Sequence, residues 1–426
     1  MDLVVRNGVV YTGDGFREAA VCVRDGRIER IGEPEDAERV IDAEGGVVLP
    51  GLVNAHTHAA MTLFRGYADD LPFDEWLFER IVPVEAELTP EDIAAGTRLA
   101  ALEMIRTGTT AFADMYFYEE TVADVVDEVG LRATLGAGVV TDDKSEAELD
   151  ARMEELAELN ERDGDADGRV RTMMTPHAPY TCDDTRLKKL AAMADDAGIP
   201  YHLHVNETAG EVADLEEEYG ERPVHHLDSL GVLDGDAYIA HGVHLSDEEI
   251  GVLAERNVQV AHCPAANAKL AAGIAPVQRL IDAGVPVCLG TDGVASNNSL
   301  DMFEEMKLAA LFGKARDTDA VAVDAESTLE MATANGADAI GHEGGRLAEG
   351  EAADLVVLDA DSPNFAPGHD PLSDTVYAAN GKDVTHTVVA GDVLYDDGEF
   401  TTLDPEAVRA EAKDAADGLL ARAGVE

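Results

Sequence analysis

Five side chains that follow short apolar stretches of this sequence are of types that bind divalent metal ions in proteins. His56 and His58 form a His-Thr-His motif, and His204, His241 and Asp292 each follow a short apolar stretch. Successive side chains of a β-strand alternate between its two faces, so both imidazoles of the motif point to the same side. Two histidines from one strand, a further histidine and a carboxylate suit Zn²⁺ or a similar ion and leave a position for water. The spacing therefore predicts a catalytic metal centre.

Eight short stretches rich in β-branched or apolar residues would provide the strands that carry these side chains. Helix-like acidic segments separate the stretches, and this alternation is what a (β/α)₈ TIM barrel requires. The stretches are residues 47–58, 109–117, 132–140, 170–179, 200–207, 237–245, 258–267 and 285–293. Active sites of such barrels lie at the carboxyl ends of the strands, which is where the metal-binding types occur.

Both ends of the chain predict a smaller β unit outside the barrel. Residues 1–54 alternate apolar stretches with the sequences RNG, GDG and RDG, which are typical of tight hairpin turns, and a similar pattern returns in residues 346–404. We therefore expect an α/β protein with a barrel over residues 55–345 and a small discontinuous β-sandwich domain from residues 1–54 and 346–404. A plain amphipathic helix is predicted over residues 405–426.

Helix signals are clear in the segment that follows residue 88. Thr89 is a suitable N-cap, Pro90 suits the first helical position, and Gly108 is placed to end the helix. We therefore predict one helix between Thr89 and Gly108, directly before the second predicted barrel strand.

Composition excludes several classes of function. The 426 residues contain 87 Asp and Glu against 31 Lys and Arg, which gives a formal net charge of -56. Such a chain disfavours nucleic acid and anionic lipid surfaces, because both recruit clustered basic residues. The acids are spread over the whole length and lysine is scarce, so we predict adaptation to molar salt, where charge repulsion is screened.

Neither a membrane span nor a secretory signal is evident, so we expect a cytoplasmic protein. The four cysteines are far apart in the chain and contain no CxxC pair, which predicts buried free thiols and not a disulfide scaffold. They are Cys22, Cys182, Cys263 and Cys288.

Four segments resemble the metal-dependent amidohydrolase superfamily, and within it the 5′-methylthioadenosine/S-adenosylhomocysteine deaminase group near the chlorohydrolase and guanine deaminase branches. They are GLVNAHTHAAMTLFRG, HLHVNET, AHGVHL and LGTDGVASNNS. The resemblance covers essentially the whole chain and implies His56, His58, His204 and Asp292 as metal ligands. Two-metal members of the superfamily carry a carboxylated lysine at the end of strand four, where this chain has the lysine-free sequence MMTPHAPY. We therefore expect one divalent ion, Zn²⁺, with Fe²⁺ as the alternative.

The resemblance also implies catalytic roles. Glu207 would take a proton from the attacking water and deliver it to a ring nitrogen of the substrate. Asp292 would act as a base toward the nucleophile, and His241 would hold the attacking hydroxide. His202 lies two residues before His204 and would face the barrel interior as well, but the matched family has an apolar residue there. We therefore leave His202 out of the ligand set.

Four further residues are implied as substrate contacts, together with Glu207 and Asp292. Glu85 would bind the ribose hydroxyls, His177 the purine edge, and Arg152 the tail of the substrate. Trp76 packs either against the ligand or in the core. The segment LGAGVVTDD lacks a second arginine that members handling the homocysteine carboxylate carry, which favours methylthioadenosine or adenosine over S-adenosylhomocysteine.

The expected function is hydrolytic deamination of the adenine amino group of a 5′-substituted adenosine. The alternative is another aminohydrolase or a chlorohydrolase acting on a guanine, pterin or triazine ring, and a third hypothesis is a barrel without enzymatic activity. The expected partners are a small nucleoside and further copies of the chain in a homo-oligomer, a dimer or a tetramer, with no nucleic acid and no membrane.

Overall fold

A computed structural model describes residues 1–136, 145, 151, 156, 158–159 and 168–425. Its strands fall into three successive groups. The first group is β1 Leu3–Tyr11, β2 Phe16–Arg24, β3 Arg27–Gly32, β4 Arg39–Asp42 and β5 Val47–Pro50. The second is β6 Leu52–Thr57, β7 Thr109–Asp114, β8 Arg132–Gly136, β9 Val170–Met173, β10 Tyr201–Val205, β11 Ala237–His241, β12 Gln259–His262 and β13 Val287–Leu289. The third is β14 Leu355–Leu358, β15 Val384–Val389, β16 Asp392–Asp396 and β17 Glu399–Phe400.

Strands from both ends of the chain share one sheet. Its order is β17-β16-β15-β14-β5-β1-β2-β3, and β4 pairs with β1 alongside β5. The sheet curls over, so that the turn between β2 and β3 contacts residues next to β14 and β15 in the other half of the sheet. Ala353 N donates a hydrogen bond to Gly26 O at 2.8 Å, and Gly391 N donates one to Ala353 O at 3.1 Å. The apolar side chains between the two halves form a cluster of their own that includes Val23, Ile28 and Val388.

The sequence RNG is not a hairpin turn, which corrects the sequence-based expectation. Residues 6–8 lie inside β1, where the register with β2 shifts between Val5 and Gly8 and Asn7 has a φ of 57°. The same edge of β1 pairs with β4 before this bulge and with β5 after it. A Cβ on Gly8 would come within 2.6 Å of Val48 Cγ2, so the change of partner requires glycine.

The eight strands β6 to β13 follow one another in chain order in two parallel four-stranded sheets. A parallel bridge between Met174 and Tyr201 joins the sheets on one side. On the other side Asp292 N donates a hydrogen bond to His56 O at 2.9 Å. The eight strands are therefore linked in a ring, and their carboxyl ends meet at one face.

The predicted strand 47–58 is two strands, and Gly51 separates them. Gly51 N donates to Asp354 O in the outer sheet, while Leu52 N donates to Gly108 O, next to β7, both at 3.0 Å. A Cβ on Gly51 would lie 2.1 Å from Thr110 Oγ1. The chain thus passes from the outer sheet to the ring of strands at a residue that tolerates no side chain.

Helices occupy most of the connections, and those longer than a single turn begin mainly at side-chain N-caps. They are Val82–Glu85, Pro90–Arg106, Glu119–Val129, Asp184–Ala197, Ala209–Tyr219, Pro223–Leu230, Asp247–Arg256, Pro264–Lys269, Val277–Asp282, Val294–Asn297, Met302–Asp317, Ala325–Met331, Ala334–Ile340, Pro371–Tyr377 and Pro405–Arg422, with a π-helix at Glu75–Ile81 and 3₁₀ turns at Ala59–Phe64, Pro363–Phe365 and Gly381–Asp383. Among the described residues, none of these helices is both long and apolar enough to span a membrane.

The predicted caps of the helix Pro90–Arg106 are confirmed. Thr89 Oγ1 accepts from Asp92 N, and the Asp92 carboxylate accepts from Thr89 N at 2.9 Å, a reciprocal capping box. Gly108 follows the helix with a φ of 85°. The C-terminal segment, predicted as a helix over residues 405–426, forms a helix over Pro405–Arg422. All four cysteines are buried free thiols, as the sequence indicated.

Candidate metal centre and active site

Three histidines come together at the carboxyl ends of β6 and β10. His56 lies in β6, His58 follows it, and His204 lies in β10. One ring nitrogen from each of the three lies within 4.8 Å of the others. The period-two alternation that placed both imidazoles of the His-Thr-His motif on one face therefore agrees with the observed positions.

Two of these imidazoles are oriented by backbone carbonyl groups. His58 Nδ1 lies 2.6 Å from Met115 O, and His204 Nδ1 lies 2.8 Å from His177 O. A carbonyl oxygen only accepts, so each Nδ1 carries the ring proton, and in the neutral ring Nε2 keeps its lone pair. This tautomer is the one that a metal ligand needs.

The third imidazole, His56, is oriented by another histidine. His56 Nδ1 lies 2.9 Å from His202 Nε2, and His202 Nδ1 lies 3.0 Å from Tyr238 O. His56 Nε2 is buried and has no hydrogen-bond partner within the described part of the chain. Burial lowers the pKa of His56 to about 4, which keeps the ring neutral. A buried lone pair without a donor is what a bound cation would satisfy.

Asp292 provides a carboxylate beside these nitrogens. Its Oδ1 lies 3.2 Å from His58 Nε2 and 3.6 Å from His56 Nε2. Gly293 N donates to Oδ1 at 2.7 Å, and Ser296 Oγ donates to Oδ2 at 2.8 Å. Burial raises the pKa of Asp292, but its contacts with the two histidines outweigh burial and hold that pKa well below its usual range. Three imidazole nitrogens and an ionised carboxylate fit a divalent metal ion.

Glu207 and His241 face each other at the neighbouring strand ends. Glu207 Oε2 lies 3.9 Å from His241 Nε2, and both side chains are buried. His241 Nδ1 lies 2.9 Å from Asn267 Oδ1, which orients the ring, and Glu207 N donates to Glu211 Oε2 at 2.7 Å. Burial raises the pKa of Glu207, so its protonated form is more accessible than in water. This is the property that a proton shuttle requires.

A cavity of about 580 Å³ opens above these groups, and most of the predicted site residues line it. The predicted residues among its lining are His58, Trp76, Glu85, His177, His204, Glu207, His241 and Asp292. Apolar side chains such as Phe73, Leu77 and Phe117 form much of the remaining wall. The cavity has the size and the mixture of apolar walls and few polar groups that are typical of small-molecule sites.

Three of the predicted substrate contacts are held in defined positions. Glu85 Oε1 accepts a hydrogen bond of 2.6 Å from the Tyr116 hydroxyl, and burial raises the pKa of this carboxyl. His177 Nδ1 lies 2.9 Å from Thr181 Oγ1. Trp76 is buried in the π-helix Glu75–Ile81 and forms part of the cavity wall. Arg152 and the segment after β8 that lacks the second arginine lie outside the described residues.

Several residues of the site were not predicted from the sequence. Tyr116, Asn267, Glu211 and Ser296 each hydrogen-bond to a predicted site residue, and His202 hydrogen-bonds to His56. Ser296 and Glu211 offer a local signal, because each lies in a helical turn four residues after its partner, Asp292 and Glu207 respectively. The other contacts join elements far apart in the chain.

Comparison with known proteins agrees with this geometry. The model of the amidohydrolase family matches residues 47–394. A 5-methylthioadenosine/S-adenosylhomocysteine deaminase of Natronomonas pharaonis is 53% identical over 425 residues, which cover 99% of each chain. A 5′-deoxyadenosine deaminase of Methanosarcina acetivorans is 47% identical, again with 99% of each chain covered.

Among solved structures, an adenosine deaminase from Xanthomonas campestris with bound zinc is similar over 99% of each chain. It is 39% identical in sequence and superposes with a TM-score of 0.94. The family model covers most of the chain and the relatives cover nearly all of it. The protein therefore belongs to the amidohydrolase family.

Proposed function

We propose that this protein hydrolyses the adenine amino group of 5′-substituted adenosines, giving the inosine analogue and ammonia. The observation that carries the proposal is the placement of Glu207 and His241 in one cavity with three imidazoles oriented for a metal ion and with Glu85 in the same wall. Metal, proton shuttle and sugar-binding carboxylate would thus act on a single bound nucleoside.

The relatives support the substrate class. Their names specify adenosines that differ at the 5′ position, namely 5-methylthioadenosine, S-adenosylhomocysteine and 5′-deoxyadenosine. What these compounds share is the adenine ring and the ribose ring. We propose that this chain recognises the same shared part, and that methylthioadenosine and adenosine are better substrates than S-adenosylhomocysteine.

For the metal we propose a single Zn²⁺ held by His56, His58, His204 and Asp292. Zinc in the Xanthomonas campestris structure supports this choice, and the lysine-free end of β9 supports a single ion. A divalent ion held there supplies Lewis acidity and lowers the pKa of water toward neutrality.

The chain's own residues would move the protons. Glu207 would take a proton from the attacking water and deliver it to the adenine ring nitrogen, which removes the aromaticity that opposes attack at C6. His241, whose Nδ1 donates to Asn267 Oδ1, presents the lone pair of Nε2, which would accept a hydrogen bond from the attacking water and hold it in place. Asp292 would accept the second proton from the oxygen now bonded to C6 and pass it to the amino group, so that the C6–N bond breaks and ammonia leaves as the neutral molecule. The apolar cavity wall excludes water that would compete for these groups.

We further propose the architecture that the sequence predicted. In it the ring of strands β6 to β13 is a closed (β/α)₈ barrel and the curled outer sheet is a β-sandwich domain from both ends of the chain. The predicted bounds, 55–345 for the barrel and 1–54 with 346–404 for the sandwich, would cut β6, which begins at Leu52, so we place the first boundary at Gly51. The hydrogen bonds at both junctions of the ring and the cluster between the halves of the outer sheet support this division.

Replacing Glu85 with alanine tests which part of the substrate this wall binds. We expect Glu85→Ala to raise KM about tenfold to a hundredfold for methylthioadenosine and adenosine, because a charged hydrogen-bond acceptor for the ribose hydroxyls is lost. The effect on free adenine should be small. Ammonia release from nucleosides and free bases, measured in molar KCl, provides both constants.

Glu87→Ala is the matched control, because Glu87 is an exposed acid two residues further along the same segment. It should leave KM for every substrate within about twofold of the wild-type value, as surface substitutions usually do. Equal increases for nucleosides and free adenine in Glu85→Ala would show that Glu85 does not contact the sugar. Release of ammonia or chloride only from guanine, pterins or triazines would contradict the proposed substrate class.

A further inference from the structure

His202 is a completely buried imidazole with both ring nitrogens engaged. Its Nδ1 lies 3.0 Å from Tyr238 O, and its Nε2 lies 2.9 Å from His56 Nδ1. Its ring also stacks on the ring of Tyr238, with centroids 3.8 Å apart and planes at 14°. The proposed proton transfers do not involve this residue, so its position needs a separate explanation.

The direction of each hydrogen bond in this chain of groups can be assigned. Tyr238 O only accepts, so His202 Nδ1 carries a proton. If His56 offers the lone pair of Nε2 to a cation, its own proton resides on Nδ1 and is donated to His202 Nε2. His202 is then a neutral ring with one donor and one acceptor. Of the four ring nitrogens of His56 and His202, all except His56 Nε2 have a hydrogen-bond partner.

His56 differs from the other two histidines of the cluster in the nature of this acceptor. His58 and His204 donate to backbone carbonyl groups, which no side-chain substitution removes. His56 donates to a side chain. The tautomer of one of the three histidines therefore depends on His202, a side chain that is itself 0% exposed and is held by the Tyr238 carbonyl of β11.

We propose that His202 is a positioning residue that sets the tautomer and ring orientation of His56, and through them the metal affinity of the site. The Tyr238 carbonyl sets the tautomer of His202 in turn. Groups that hydrogen-bond to metal-binding histidines commonly alter metal affinity without touching the ion. The inference rests on the proposed function only in taking the three-histidine cluster as a metal site.

Substituting His202 with phenylalanine tests this role. The benzyl side chain keeps a ring to stack on Tyr238 but removes the acceptor, so the N–H at Nδ1 of His56 becomes a buried donor without a partner. We expect the zinc dissociation constant, measured by competition with a chromophoric chelator in molar KCl, to rise about tenfold to a hundredfold. The measurement needs no turnover and so does not depend on the reaction.

Tyr238→Phe is the matched control. It retains the backbone carbonyl and a ring for stacking, and it removes only a hydroxyl that lies 3.2 Å from Met173 Sδ. Its zinc affinity should stay within about twofold of wild type, because the hydrogen-bond acceptor of His56 is retained, whereas His202→Phe removes it. An equal loss of affinity in both variants would show that packing is responsible, and this would overturn the positioning role.

His202→Gln provides an independent arm, because its amide oxygen can accept from His56 Nδ1. We expect a zinc affinity between those of wild type and His202→Phe, and this variant carries the test if His202→Phe does not fold. Unchanged affinity in His202→Phe, with wild-type protein that binds zinc and deaminates nucleosides, would overturn the positioning role and leave the proposed function intact. Wild-type protein that does not bind zinc would instead overturn the proposed function.

Discussion

Glu207→Gln should lower kcat for deamination by about a hundredfold to ten-thousandfold while the protein retains its metal ion. Glutamine has nearly the same shape as glutamate, but it cannot take a proton and return it, and general acid–base catalysis contributes rate factors of about this size. Glu207 lies 3.9 Å from His241 and outside the three-histidine cluster, so metal binding should not require its charge. Metal analysis of the purified variant, together with ammonia release, measures both properties.

His204→Ala is the matched comparison for this experiment. It removes one of the three clustered ring nitrogens, and we expect it to lose both metal and activity. The pair of variants therefore separates proton transfer from metal binding. A Glu207→Gln protein that is purified without metal would contradict the role given to Glu207 and would place it among the ligands.

Lowering the salt concentration should unfold the protein and abolish its activity. With a formal net charge of -56, folding brings like charges together, and only a dense ion atmosphere screens them. The Debye length grows from about 3 Å at 1 M salt to about 10 Å at 0.1 M, so each carboxylate then repels many more neighbours. A stability of about 5–15 kcal/mol, which is typical of folded proteins, is easily lost to such repulsion.

The observed ion pairs do not compensate for this charge. Many of those in the described part of the chain are exposed, as in the pairs of Arg6 with Asp42 and of Lys413 with Asp417, and exposed pairs contribute little. The metal centre draws on β6 and β10 and on the loop after β13, so it requires the intact ring. A melting series against KCl measures the effect. A melting temperature that stays constant from about 0.1 M to about 3 M would contradict the halophilic interpretation and leave the deaminase proposal untouched.

The sequence predicted those features of the fold that depend on local pattern. Alternation within the His-Thr-His motif placed His56 and His58 on one face, and the apolar stretches located each strand that carries a site residue. The helix between Thr89 and Gly108 was evident from its capping residues, which act within one turn. Such signals involve neighbours in the chain and need no knowledge of the rest of the structure.

Features that arise from contacts between distant segments could not be predicted. The sequence RNG has the composition of a turn, but β1 continues through it because the strand changes partner from β4 to β5. Gly51 marks a passage between sheets only because Thr110 packs against it. The hydrogen bond from Tyr116 to Glu85 and the one between His56 and His202 join elements that the chain order does not bring together.

The central claim is that one metal ion and this set of side chains deaminate a 5′-substituted adenosine. Titration of metal-free protein with zinc in molar KCl, followed by ammonia release from 5′-methylthioadenosine, tests it most directly. We predict that activity rises in proportion to added zinc, reaches its plateau at about one equivalent, and yields one ammonia for each inosine analogue formed. Activity that is fully present without metal, or that plateaus only at two equivalents, or protein that binds one zinc and releases no ammonia, would contradict the claim.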